Sequence, residues 1–168
     1  QFTAVNNVGS LKGKWINVDI DLEGAQDTFT LGRYKVFSDK PTSHRANREI
    51  VAYDALYDAV NADATDWYLG LWNNVTTTMS IKDFRDSFFT FIGITQETTT
   101  LINDTYMILP ALGENEMISG GEVLKEICRY NGVFGHIGRD GVFHYISLSK
   151  GTTYAIDNSQ QKDNDYEE

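Results

Sequence analysis

Two histidines, His136 and His144, a lone thiol at Cys128, a trio of aromatics at Trp67, Tyr68 and Trp72, and a scatter of carboxylates are the residues of this chain that suggest chemistry. The histidines flank Arg139-Asp140-Gly141, a turn sequence between two apolar stretches. A two-residue type I′ turn at Asp140-Gly141 points the imidazoles to opposite faces of a hairpin. A three-residue turn with a bulge at Gly141 sets them across from each other. Even opposed, they lack an evident third ligand, so cross-strand packing beside Phe143 and Tyr145 is expected rather than a metal site.

The other groups are no more specific. Asp19-Ile20-Asp21-Leu22-Glu23-Gly24 imitates the start of a calcium loop, but Thr30 stands where the closing bidentate acid belongs, and the wet face of a strand end is the expected reading. There is no G-x-S-x-G elbow, and His44 lies in a polar loop without a partner evident in the sequence. Asp54, Asp58, Asp63 and Asp66 offer carboxylate pairs of the kind a glycosidase uses, yet such pairs are common in any acidic chain. Asn74-Val75-Thr76 and Asn103-Asp104-Thr105 match the glycosylation sequon, which matters only in a eukaryotic secretory protein. Trp67, Tyr68 and Trp72 sit in an Asn- and Thr-rich neighbourhood and could stack sugar rings or a partner chain; core packing is the ordinary alternative. No catalytic, cofactor-binding or metal residue is assigned.

The elements that must position these residues begin with Ser119 to Ser149. Ser119 followed by Glu122 is a capping box, and Val123, Leu124, Ile127 and Cys128 share one apolar face of the helix it opens. That face makes Cys128 a small buried hydrophobe. Asn131-Gly132 stops the helix, and Val133 to Ile137 and Val142 to Leu148 read as the arms of the hairpin. Upstream, Trp15 to Ile20, Thr28 to Phe37 and Arg48 to Tyr53 read as strands, the second ending at a turn over Asp39-Lys40-Pro41-Thr42-Ser43. Asp54 caps a short helix, Thr65 or Asp66 another. Ser80 with Asp83 caps a third, with Ile81, Phe84, Phe88 and Phe91 on one face, a Lys82–Asp86 pair, and Gly93 as its stop. Thr98 to Leu109 reads as a strand interrupted at Asn103-Asp104. The fold class is α+β: a β-rich part at 1–53 forming part of a barrel or sandwich, an α/β module at 54–150, and an acidic flexible end or severed connection at 151–168.

Composition narrows the function classes. The chain has 168 residues, 41% of them hydrophobic, enough for a real core. Its net charge of −10, with no Lys/Arg cluster, argues against a phosphate-neutralising surface for nucleic acid. No apolar run reaches the roughly 18 residues a membrane span needs. One cysteine permits no internal disulfide. Starting at Gln1 and ending in acid, the chain reads as an excerpt of a longer polypeptide.

Four stretches carry a family resemblance: Arg48 to Asp58, Thr65-Asp66-Trp67-Tyr68, IKDFRDSFFTFIGI from Ile81, and GGEVLKEICRYNGVFGHIGRDGVFHYI from Gly120. In this order they resemble the tail-tip hub (baseplate hub) proteins of siphophages and prophages of Gram-positive hosts, known as minor tail proteins, prophage endopeptidase tail proteins or the amino-terminal part of tail-associated lysins. The resemblance runs from about Gly32 to Leu148. It implies a β-barrel-like hub domain with a small α/β insertion, homotrimeric assembly continuing the tail tube, tube, distal-tail and fibre proteins as partners, and a place in the virion at the distal tail tip. The family's peptidoglycan hydrolase, where present, lies in a distal carboxyl-terminal region. Nothing here matches it, so this chain is expected not to be an enzyme and to need no cofactor. A tail-associated peptidoglycan or polysaccharide hydrolase and a carbohydrate-binding module are the alternatives.

Overall fold

The computed structural model describes residues 9–21, 28–42, 47–72, 78–109 and 117–148, and the backbone of 2–5. The calcium-like loop beyond Asp21, His44, the sequon at Asn74 and the acidic end lie outside the described residues.

Four strands, β1 (Phe2–Val5), β2 (Trp15–Asp21), β3 (Thr28–Pro41) and β4 (Asn47–Tyr53), form an antiparallel sheet in the order β1-β4-β3-β2. The sheet is open, and among the described residues no sheet closes into a barrel. Two bulges bend β3. At the first, Val18 pairs with Gly32 and Asp19 with Thr30, so Leu31 is the extra residue, and Gly32 takes φ +148°, a conformation that side chains disfavour. At the second, Val36 pairs with Ala52 and Ser38 with Val51, which leaves Phe37 unpaired. Phe37 meets Tyr53 and Tyr57 edge-on, and those two rings stack at 4.2 Å.

The turn expected at Asp39 to Ser43 is instead strand as far as Pro41. Asp39 accepts hydrogen bonds from Arg48 across the ladder and from the Leu11 N–H at 2.6 Å, and Lys40 pairs with Glu49. These cross-strand bonds outweigh the weak β-propensity of Asp and Pro.

Beyond Tyr53 the period becomes helical. Helix α1 (Ala55–Val60) is capped by Asp54, whose carboxylate accepts the Leu56 N–H. Helix α2 (Thr65–Leu71) has Ala64 as its cap residue and no side-chain cap. Asp63, rather than Thr65 or Asp66, accepts the Thr65 N–H, and the Thr65 hydroxyl accepts from Ile118 N. A two-residue strand β5 (Met79–Ser80) leads into α3 (Ile81–Ile92), capped by Ser80 on Asp83 N and stopped by Gly93 in the left-handed region. Strand β6 (Met107–Ile108) pairs with β5. The strand expected over Thr98 to Leu109 shrinks to these two residues, because Asp104 turns inward and holds 101–105 in turns. Helix α4 (Gly120–Asn131) carries the complete capping box of Ser119 and Glu122, and β7 (Val133–Ile137) and β8 (Phe143–Ser147) follow as the hairpin.

The main core lies in this second part. Ala59, Trp72, Phe88, Val123, Ile127 and Phe143 are among its buried members. Close helix packing depends on Gly120: a Cβ there would stand 2.0 Å from the Ala59 carbonyl oxygen, and the Gly120 N–H donates to Ala62 O at 2.8 Å. Lys35 of β3 pairs with Asp58 of α1 at 2.5 Å, tying the sheet to the helices together with the Phe37–Tyr53–Tyr57 stack.

Candidate functional site on the helix–hairpin module

The aromatic trio packs inward as a group, each of the three rings against Phe84 of α3. Trp72, one residue past α2, is 4% exposed and stacks on Phe84. Trp67 lies on another side of α2, stacked on Phe91, packed against Phe84 and Phe88, and donating its indole N–H to Ser87 at 3.2 Å. Tyr68 and Trp72 instead line an apolar groove of about 520 Å³ with Phe84, Ile108, Val123 and Ile127. A sugar ring stacks on an exposed aromatic face, and Trp72 presents none. Its indole N–H is buried and finds no hydrogen-bond partner among the described residues.

The hairpin turn resolves the two histidines. Gly141 N donates to Gly138 O at 3.0 Å and Gly138 N to Val142 O at 2.8 Å, closing a three-residue loop with Gly141 at φ 78°. His136 therefore stands directly across from His144, with ring centroids 5.6 Å apart. His144 is held between two carboxylates, Nδ1 at 2.9 Å from Glu97 Oε2 and Nε2 at 3.0 Å from Asp140 Oδ2. Its ring lies over Gly138, where a Cβ would stand 2.6 Å from the imidazole. Glu97 and then Asp140 raise the His144 pKa above its ordinary value by hydrogen bonding to the imidazolium. Glu97 is itself lowered, first by the Tyr145 N–H and then by His144, and Asp140 chiefly by the Val142 N–H. With both ring nitrogens engaged, His144 offers no lone pair to a substrate or metal. Among the described residues, no group of three or more His, Cys, Asp or Glu is placed to hold a metal ion.

Sequence reasoning missed Arg85. It falls on the apolar stripe of α3, four residues after Ile81 and four before Phe89, and is 2% exposed. Its Nη2 donates to Asp104 Oδ2 at 3.1 Å and to Thr99 O at 3.2 Å, and its guanidinium lies 5.3 Å from the Tyr145 ring centre. Asp104 also accepts the Leu101 N–H at 2.8 Å. The Tyr145 hydroxyl donates to Gln96 at 2.6 Å, and burial pushes its pKa well above the usual phenol value. A cation spaced at i and i+4 with buried apolar residues was the available signal. The network braces α3, the 96–104 segment and β8 with little exposed surface of its own. Cys128 is half-buried on α4, and that burial raises its pKa, so the thiol is a poor nucleophile.

Several large apolar side chains are exposed among the described residues. Ile102 is 81% exposed and Met117 75%, with Tyr106, Met107 and Leu109 also outward. On the hairpin, Phe134, Ile146 and Leu148 are each more than half exposed. Among the described residues no helix is long and apolar enough to cross a membrane.

No protein-family model matches the chain, and no curated protein matches it. Among solved structures, its fold is similar to that of the 43 kDa tail protein of prophage MuSo2 from Shewanella oneidensis, with a TM-score of 0.51. The likeness covers 74% of this chain and 37% of that one at 17% sequence identity, so this chain spans well under half of that protein's length. At such identity the likeness is one of fold.

Proposed function

We propose that this chain is a structural component of a phage or prophage tail. The observation that carries the reading is the fold shared with the MuSo2 tail protein over 74% of the chain. The sequence resemblance to tail-tip hub proteins supports it independently. In this reading the open sheet of 2–53 is part of a hub domain and 54–148 its α/β insertion. Homotrimeric assembly continues the tail tube at the distal tip of a particle infecting a Gram-positive host, and the hub contacts tube, distal-tail and fibre proteins. Broad apolar exposure on the module suits a chain that works by assembly rather than turnover.

Immunogold labelling of induced particles with an antibody against this chain, viewed by negative-stain electron microscopy, tests the reading. Gold at the distal tail tip is expected, as are its peptides in purified particles by mass spectrometry. Unlabelled, peptide-free particles would overturn it, and would move the hydrolase and carbohydrate-binding alternatives to the front.

A further inference from the structure

The hairpin has two edges, and among the described residues only one is taken up by hydrogen bonds. Gly138 N donates to Val142 O at one end of the ladder and Leu148 N to Gly132 O at the other. In an antiparallel pair, bonded positions alternate, so 134/146 and 136/144 exchange their hydrogen bonds with each other. The backbone groups of Val133, Gly135 and Ile137 on β7, and of Phe143, Tyr145 and Ser147 on β8, consequently point outward. On β8 they are taken up by the chain itself: Phe143 N donates to Thr95 O at 2.8 Å, Phe143 O accepts from Glu97 N at 2.9 Å, and Tyr145 N donates to the Glu97 carboxylate at 2.9 Å. On β7, no described residue bonds the outward groups of Val133, Gly135 or Ile137.

We propose that the open edge of β7 takes up an extended segment of a partner polypeptide as an added strand. Val133-Phe134-Gly135-His136-Ile137 has no Pro, no Lys and no bulge, three of the devices that blunt an edge strand. A groove of about 520 Å³ opens along it, between Val133, Phe134 and Gly135 of β7 and Leu124, Lys125 and Cys128 of α4. An added strand hydrogen-bonds Val133 and Gly135 and turns alternate side chains onto Leu124 and Cys128. The intervening side chains extend the exposed row of Phe134, Ile146 and Leu148.

Charge selects the occupant. The chain carries −10 overall, yet the charged residues lining this groove, Lys125 and Arg129, are both basic. Arg129 is already paired with Glu126, which leaves Lys125 to meet a carboxylate. The partner segment therefore alternates apolar residues and carries an acidic flank. Edge-to-edge pairing of two copies would instead bring the two Lys125 side chains along one seam, which disfavours a second copy.

The test uses the full chain and a fluorescent synthetic peptide of alternating Val and Thr ending in Asp, followed by anisotropy and by hydrogen–deuterium exchange. Saturable binding is expected, with exchange at the Val133 and Gly135 amides slowed about tenfold or more. A peptide N-methylated at alternate amides loses binding, one ending in Lys binds more weakly, and Phe134→Lys, which alters an exposed side chain, lowers affinity about tenfold while leaving the circular dichroism unchanged. Absence of protection at β7, or equal binding of the N-methylated peptide, overturns the proposal. So does concentration-dependent protection of β7 without peptide, which would make a second copy the occupant.

Discussion

Arg85 Nη2 and Asp104 Oδ2 stand 3.1 Å apart with both side chains almost wholly buried, and the pair joins helix α3 to the turns that precede β6, beside the backbone bonds from Ile81 N to Tyr106 O and from Lys82 N to Asp104 O. A buried pair gains little over a well-packed apolar substitute, but removing one partner strands the other's charge. Arg85→Met or Asp104→Asn alone is expected to cost about 3–5 kcal/mol in urea unfolding. The double variant Arg85→Met/Asp104→Asn should lose less than the sum of the two. Additive losses in the cycle would show that the pair is not coupled.

The clamp on His144 makes stability depend on pH in a definite direction. Its pKa is raised in the folded state, so its contribution is complete below the ordinary value of 6.5 and is lost as pH rises through the folded pKa. Glu97 and Asp140 are lowered from 4.5 and 3.8, so their contributions are present above those values and fade as pH falls through the folded pKa values. The melting temperature should therefore be highest between those limits and decline on the alkaline side. His144→Gln should flatten the alkaline limb. An NMR titration placing His144 at or below 6.5 would contradict the assignment.

Gly135 lies under the Phe143 ring, where a Cβ would come 1.9 Å from Cζ. Gly135→Ala should destabilise the chain by about 1–3 kcal/mol, the usual cost of overpacking. Gly70, on α2, has nothing within 4 Å of the equivalent position, and Gly70→Ala should be neutral or stabilise by up to about 1 kcal/mol. Thermal denaturation of the two variants separates the effects.

The aromatic trio makes a spectroscopic prediction. Trp72 is nearly fully buried while Trp15 is 41% exposed, so acrylamide should quench Trp15 far more than Trp72 in single-tryptophan variants. Trp72→Ala should cost about 3–5 kcal/mol as a core truncation. A small loss together with sugar-dependent quenching would instead favour the carbohydrate-binding reading.

What the sequence determined by itself was local. Ser119 with Glu122, Ser80 with Asp83 and Asp54 each marked a helix start, because a cap is made between residues a few positions apart and needs no distant partner. Gly93 and Gly132 marked two stops for the same reason. The α+β class followed from the change of period near Tyr53. Tertiary structure decided the rest. Asp39 and Pro41 became strand through Arg48 and Leu11 on other segments, and Thr98 to Leu109 lost most of its strand to the inward turn of Asp104. Both turn types were open to Arg139-Asp140-Gly141, so the shared face of His136 and His144 depended on which one closed. The trio at Trp67, Tyr68 and Trp72 looked like a platform in the sequence, but Trp67 and Trp72 both pack on Phe84 of α3, and that contact exists only once α3 lies over them. Interactions closed within a few residues are written in the chain; those that need two distant segments to meet exist only once the core has formed.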